Sequence, residues 1–204
     1  LRSSFKSHET KSIHNYEKGR VPYSHFYRIK NAREELNEDF SPATVVYRFA
    51  NSARANLGDR PLLSGRLRIY SRREGSSVFL GEGRVNRVPV GDTVSVPVGR
   101  TNDVRAKREL IDRNRSDVRR DKNRRPQLYD ELRTLRYTIE NQTDDPAEIR
   151  LVEPMHGQWM IQDPPKAYSA PTNRKIVLDP TIESGETRRI LLKYKQLNII
   201  PDKP

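Results

Sequence analysis

The chain of 204 residues contains no cysteine, which excludes disulfides, thiolate metal sites and cysteine nucleophiles. Hydrophobic residues are scarce at 33%, against roughly 45–50% (glycine included) in ordinary globular domains. A compact core is possible, but it cannot take in the whole chain, so some segments should be arms or solvated loops. No apolar run comes near the roughly 18 residues that a membrane-spanning helix needs. The ten glycines are outnumbered by 14 prolines, which argues for many short elements and against long helices. No Gly-x-Ser-x-Gly elbow, P-loop or dinucleotide-binding glycine pattern occurs, so these local signatures of acyl transfer and phosphate cradling are missing. His8, His14 and His25 are spaced by six and eleven residues. That spacing matches no common ligand motif, and neither a metal nor a cofactor is expected.

What the chain has in excess is positive charge: 39 Lys and Arg against 27 Asp and Glu, a net +12. Such a balance favours anionic partners, whether nucleic acid, an acidic lipid or glycan surface, or an acidic protein. The first residue is Leu1 rather than Met. This points to a processed chain or to part of a longer one, with any signal peptide or lipid anchor lying upstream.

Residues 1–40 have little periodicity. Ser, Lys and His alternate with isolated aromatics, Phe5, Tyr16, Tyr23, Phe26 and Tyr27. The segment reads as an extended or disordered N-terminal arm whose aromatics dock on a partner or on the domain. A short helix could begin at Asn31, with Glu34 completing a capping box. From Thr44 onward the pattern changes to alternation of period two: Val45, Tyr47 and Phe49; Leu67 and Ile69; Val78 and Leu80; Val94, Val96 and Val98. It returns at Leu135, Tyr137 and Ile139, at Ile149 and Leu151, at Ile176 and Leu178, and at Ile190, Leu192 and Tyr194. Short alternating runs separated by turn residues predict an all-β fold, a β-sandwich or two β-sandwich-like units. The units would span residues 41–112 and 128–197, with a tail at 198–204.

Between them, residues 113–127 form a basic connecting loop. From 113 to 126 the run holds seven basic and two acidic residues, net +5. Arg113, Arg115, Arg119, Arg120, Arg124 and Arg125 are the candidate contacts to an anionic partner. The run has no interleaved aromatics and the chain shows no RNA- or DNA-recognition signature, so nucleic acid is the less favoured partner.

The stretch "EIRLVEPMHGQWMI" (148–161) places Glu153, His156 and Trp159 close together. An acid–base pair of Glu153 and His156 is conceivable, but no third group to orient it can be named, and no catalytic residue is assigned. The stretch reads as a structural hairpin. Pro154 ends the first strand for want of an N–H. Gly157 frees the backbone for the reversal, and Trp159 re-enters the core.

"YTIENQTDDPAEIRLVEPMHGQWMI" (137–161) resembles the signature of the C-terminal domain of unknown function found in bacterial mucoidy-inhibitor-A-like proteins. The matching residues are Asn141, Val152, Glu153, Pro154 and Trp159. Upstream, "LLSGRLRIY", "FLGEGRV", "VPVGDTV" and "VGRTNDV" are similar to the family's other half, in family order. The resemblance covers roughly residues 40–195. It implies a β-rich fold and export to the periplasm or cell envelope, with no catalytic residues to carry over. The expected function is therefore a non-enzymatic interaction module of the envelope. It would be an accessory subunit that meets a protein partner, or an anionic membrane surface, through the arm and the basic run. Nucleic-acid binding is the alternative.

Overall fold

The computed structural model describes residues 20–30, 37–73, 75–168, 172 and 174–201. Among these the fold is all-β, with one 3-10 turn at Ala53–Ala55 and no α-helix. The strands are β1 (Ser24–Lys30), β2 (Asn37–Ala50), β3 (Gly65–Arg73), β4 (Ser76–Val85), β5 (Thr93–Arg120) and β6 (Pro126–Asn141), followed by β7 (Ala147–Pro154), β8 (Gln158–Gln162), β9 (Lys175–Leu178), β10 (Thr181–Ile182) and β11 (Thr187–Ile199). A mixed sheet runs β10-β7-β1-β2-β5-β6-β11-β8, with β9 also paired to β7. It curls until its ends face one another in a β-sandwich-like arrangement. β3 and β4 form a separate two-stranded sheet.

The alternation in the sequence marks the buried face of most strands. Val104 and Ala106 of β5, Leu135 and Ile139 of β6, Ile149 and Leu151 of β7, and Ile190 and Leu192 of β11 meet inside the curl. A second, smaller core forms where Val94, Val96 and Val98 of β5 meet β2 and the β3–β4 hairpin. There β4 lies directly on β5. A Cβ on Gly83 would sit 2.3 Å from the Pro97 carbonyl oxygen, and one on Gly81 would sit 2.3 Å from that of Val98. The sequence "FLGEG" is thus a backbone-on-backbone crossing that only glycine permits. Val78 and Leu80, expected on a buried face, are exposed, because this two-stranded sheet is covered on one side only.

Three expectations need correction. First, the arm is not wholly an arm. Residues 24–30 form β1, inserted between β2 (antiparallel) and β7 (parallel). Phe26 is 7% exposed, and Ile29 joins the main core. The short alternation in "SHFYRIK" fills a slot that exists only once β2 and β7 are placed. Phe5, Tyr16 and the helix expected from Asn31 lie outside the described residues.

Second, residues 113–127 are not a connecting loop. β5 continues through Arg120 and pairs with β6 from Val104↔Asn141 to Arg120↔Pro126, leaving residues 121–125 as a hairpin turn. Strands from both expected units hydrogen-bond into one sheet, and the expected tail begins inside β11.

Third, residues 148–161 are not a hairpin. β7 pairs with β1, β9 and β10, whereas β8 pairs with β11. After Pro154 the chain arches across the end of the curled sheet, with Gly157 at φ +65°. Trp159 lies half-buried on an edge strand opposite Gln196, packed against the main core.

Candidate functional site

The long β5–β6 hairpin gathers the six arginines expected to bind an anionic partner, and divides them into two groups. Along the paired strands each arginine has a partner. Arg113 Nε donates to Glu131 Oε2 at 2.8 Å, and Arg133 Nε donates to the other oxygen. Arg115 lies 4.5 Å over the Tyr129 ring, a cation–π contact. Arg119 donates to Asp130 at 2.8 Å and to Asn198 at 2.7 Å. Lys195 bridges Asp117 at 2.6 Å and Asp130 at 3.1 Å.

Glu131 is fully buried. Burial works against its charged form, but the hydrogen bonds and charges of Arg113 and Arg133 prevail and hold it below the usual glutamate range. Asp130 is held low first by the Asn198 backbone N–H and then by Lys195 and Arg119. This pairing lets an arginine-rich run form a strand: the carboxylates of "YDELR" on β6 stand opposite it.

At the tip the charges are not matched. Asp121 spends its carboxylate oxygen Oδ1 on the backbone N–H groups of Asn123 and Arg125, each at 2.8 Å, and so closes the turn. Arg120 Nη1 donates to the Arg124 carbonyl. Arg124 and Arg125 are exposed and have no ion-pair partner among the described residues. Arg120, Lys122, Arg124 and Arg125 therefore form a compact cationic end.

Glu153 does not meet His156. It is 3% exposed and faces inward, where Arg108 of β5 grips it with Nη2 at 2.6 Å from Oε1 and Nε at 3.2 Å from Oε2. Tyr137 of β6 also donates to Oε2. Arg108 and Tyr137 are cross-strand neighbours, so both side chains point inward and reach across the interior to β7. Burial pushes the Tyr137 phenol far above its ordinary value, and the Glu153 charge adds to this. Burial also opposes the Arg108 cation, yet its bond to Glu153 holds it above its usual range. The carboxylate is occupied by three donors in a clasp that ties the two sides of the sheet together, while His156 stays exposed outside it.

The aromatics of the expected arm take separate roles. Phe26 lies beneath the guanidinium groups of Arg48 and Arg150, at 5.7 and 5.2 Å. Tyr27 is edge-on to His25 at 5.5 Å, and Tyr23, 67% exposed, lies 5.6 Å from Tyr47. Tyr23, Tyr47 and Phe49 line one wall of an apolar cleft of about 620 Å³, and β3 lines the other. Sequence reasoning did not find this cleft, because its walls come from distant segments. Clustered apolar residues in "PLLSGRLRIY" were its only local signal.

Among the described residues no group of three His, Cys, Asp or Glu could hold a metal ion, and no helix is long and apolar enough to cross a membrane. Compared with family models, with curated proteins and with solved structures, the chain finds no match.

Proposed function

We propose that this chain is a non-enzymatic interaction module, an accessory subunit of a larger assembly in the bacterial cell envelope, that engages an acidic surface of a partner protein through the tip of the β5–β6 hairpin. The observation that carries this reading is the split of charge along the hairpin. Arg113, Arg115 and Arg119 on the paired strand are engaged by Glu131, Tyr129 and Asp130, whereas Arg120 donates only to a backbone carbonyl, and Lys122, Arg124 and Arg125 have no ion-pair partner among the described residues. A cationic group on a hydrogen-bonded ribbon is preorganised, so ordering it on binding costs little. The envelope location rests on the resemblance of residues 40–195 to the mucoidy-inhibitor-A-like domain.

Nucleic-acid binding is the second reading, since a two-stranded ribbon can enter a major groove. It is disfavoured by the shortness of the bare ribbon: β11 backs β6 as far as Tyr129, leaving only a few pairs beyond it.

The test is the triple variant Arg120→Ser, Arg124→Ser, Arg125→Ser. Its urea midpoint should stay close to the parent's, because exposed substitutions usually cost within about 0.5 kcal/mol each. Its capture of acidic envelope proteins, identified by mass spectrometry, should fall sharply, and the residual binding should lose its salt sensitivity. Undiminished capture by the variant would remove the tip from the mechanism. Tight binding of duplex DNA by the parent chain, with a salt slope that drops by about 0.9 for each phosphate the variant no longer neutralises, would favour the second reading.

A further inference from the structure

The apolar cleft between β3 and the wall formed by Tyr23 with Tyr47 and Phe49 of β2 shares no residue with the β5–β6 hairpin, and β3 presents itself to it in an unusual way. A strand that faces a cavity contributes alternate residues. Here six consecutive residues, from Gly65 to Tyr70, all line the cleft. The strand therefore turns its edge, not one of its faces, toward the space. That edge is open: among the described residues β3 pairs with β4 and with no other strand. Unpaired edge N–H and C=O groups beside an apolar trough are a template for another strand.

The open edge selects the occupant. Six residues of strand span about 20 Å, a length that one extended segment can follow with main-chain hydrogen bonds, whereas a helix keeps its own N–H and C=O groups engaged and would leave the edge of β3 unpaired. The floor would receive alternate apolar side chains of the guest against Leu67, Ile69, Tyr47 and Phe49, with Tyr23 as an exposed aromatic at the side.

Charge selects further. Arg66 and Arg68 at the rim share the single carboxylate of Glu82, at 3.5 and 3.2 Å. The rim is left with a net positive charge. A second copy of this chain would bring the same arginines and be repelled, whereas a chain with acidic flanks would be attracted.

We propose that β3 is a docking edge for an extended segment of a partner protein, apolar at alternate positions and flanked by acidic residues, which adds to the sheet as a third strand beside β3 and β4. The backbone supplies affinity and the cleft supplies selectivity.

The experiment uses the full chain and a fluorescein-labelled peptide, EDVTVTVED, followed by anisotropy. Two further peptides carry backbone N-methyl groups, one at the odd and one at the even positions of the apolar centre. Only one set of N–H groups can point at β3, so one N-methylated peptide should bind roughly tenfold or more weakly while the other stays near the parent. Arg66→Glu with Arg68→Glu should weaken the parent peptide by a similar factor, and the circular dichroism of this variant should match that of the parent chain. Equal behaviour of the two N-methylated peptides would overturn strand addition and leave a merely greasy cleft. No binding of the unmodified peptide up to about 1 mM, or a dimer in sedimentation that the peptide disperses, which would make a second copy the occupant of the edge, would overturn the proposal as well.

Discussion

Replacing Glu153 with Gln changes one atom and should still be among the most damaging substitutions in the molecule. Glu153 and Arg108 are 3% and 5% exposed; the carboxylate offsets the effect of burial on the guanidinium, which stays protonated with or without it. In Glu153→Gln the arginine remains charged, its counter-charge is gone, and the new amide N–H₂ confronts Arg108 or Tyr137 donor to donor. Breaking a buried pair in this way costs about 3–5 kcal/mol, a large part of a typical domain's total of about 5–15 kcal/mol. With a urea dependence near 2 kcal/mol/M, the unfolding midpoint should fall by roughly 1.5–2.5 M. Trp159, the chain's one tryptophan and packed against the same core, reports the transition by its fluorescence. A second variant separates lost charge balance from lost packing. Arg108→Met, Glu153→Leu and Tyr137→Phe together remove every polar group of the clasp. Because apolar replacement of a buried pair is often neutral or stabilising, this triple variant should recover most of the loss. A midpoint shift below about 0.5 M for Glu153→Gln, or a triple variant no better than the single one, would refute the argument that Arg108 depends on Glu153.

Three other outcomes are expected. Glu131 is held below its ordinary pKa of 4.5, against the effect of burial, by Arg113 and Arg133, so it binds a proton less readily folded than unfolded. Its contribution should be complete above pH 4.5 and lost as the pH falls below that value through the folded-state pKa. Glu131→Gln should flatten this acid limb of the urea midpoint against pH, and an unchanged limb would count against the pairing. Gly83→Ala should destabilise by about 1–3 kcal/mol, since its Cβ would fall 2.3 Å from the Pro97 oxygen and 2.4 Å from Val96 Cγ1. Gly99→Ala, with nothing within 4 Å, is the control, and equal melting temperatures for the two would contradict the close crossing. Trp159→Ala should cost about 2 kcal/mol, less than the roughly 3–5 kcal/mol of a fully enclosed aromatic, because its edge strand leaves it half-exposed; circular dichroism during urea unfolding measures it.

The strands most legible in the sequence are those with one buried face. "AEIRLVE" and "RRILLKYK" show their inward residues by alternation alone, because side-chain direction repeats every two residues whatever the partner. The all-β class was therefore readable, and so was the place of Ile149, Leu151, Ile190 and Leu192 in the core. Alternation does not say which strand lies beside which. Trp159 was legible as a residue that packs on the core, but its pairing with β11 and not β7 was not. The arginines of residues 113–120 read as a solvated loop, since nothing local announces the carboxylates that make their strand tenable. Glu131 and Asp130 become their partners only when the hairpin closes. In the same way Ser24–Lys30 becomes a strand when β2 and β7 leave a slot for it. Glu153 looked like a neighbour of His156 because only Pro154 and Met155 separate them. The curl of the sheet instead turned it inward, to Arg108 and Tyr137 on strands distant in sequence. By itself the sequence determined the period, and with it the class of element and the inward set of side chains, because these depend on neighbouring dihedral angles. Pairing, charge compensation and the cleft were decided by tertiary structure alone, because each needs groups from distant segments brought within a few ångströms.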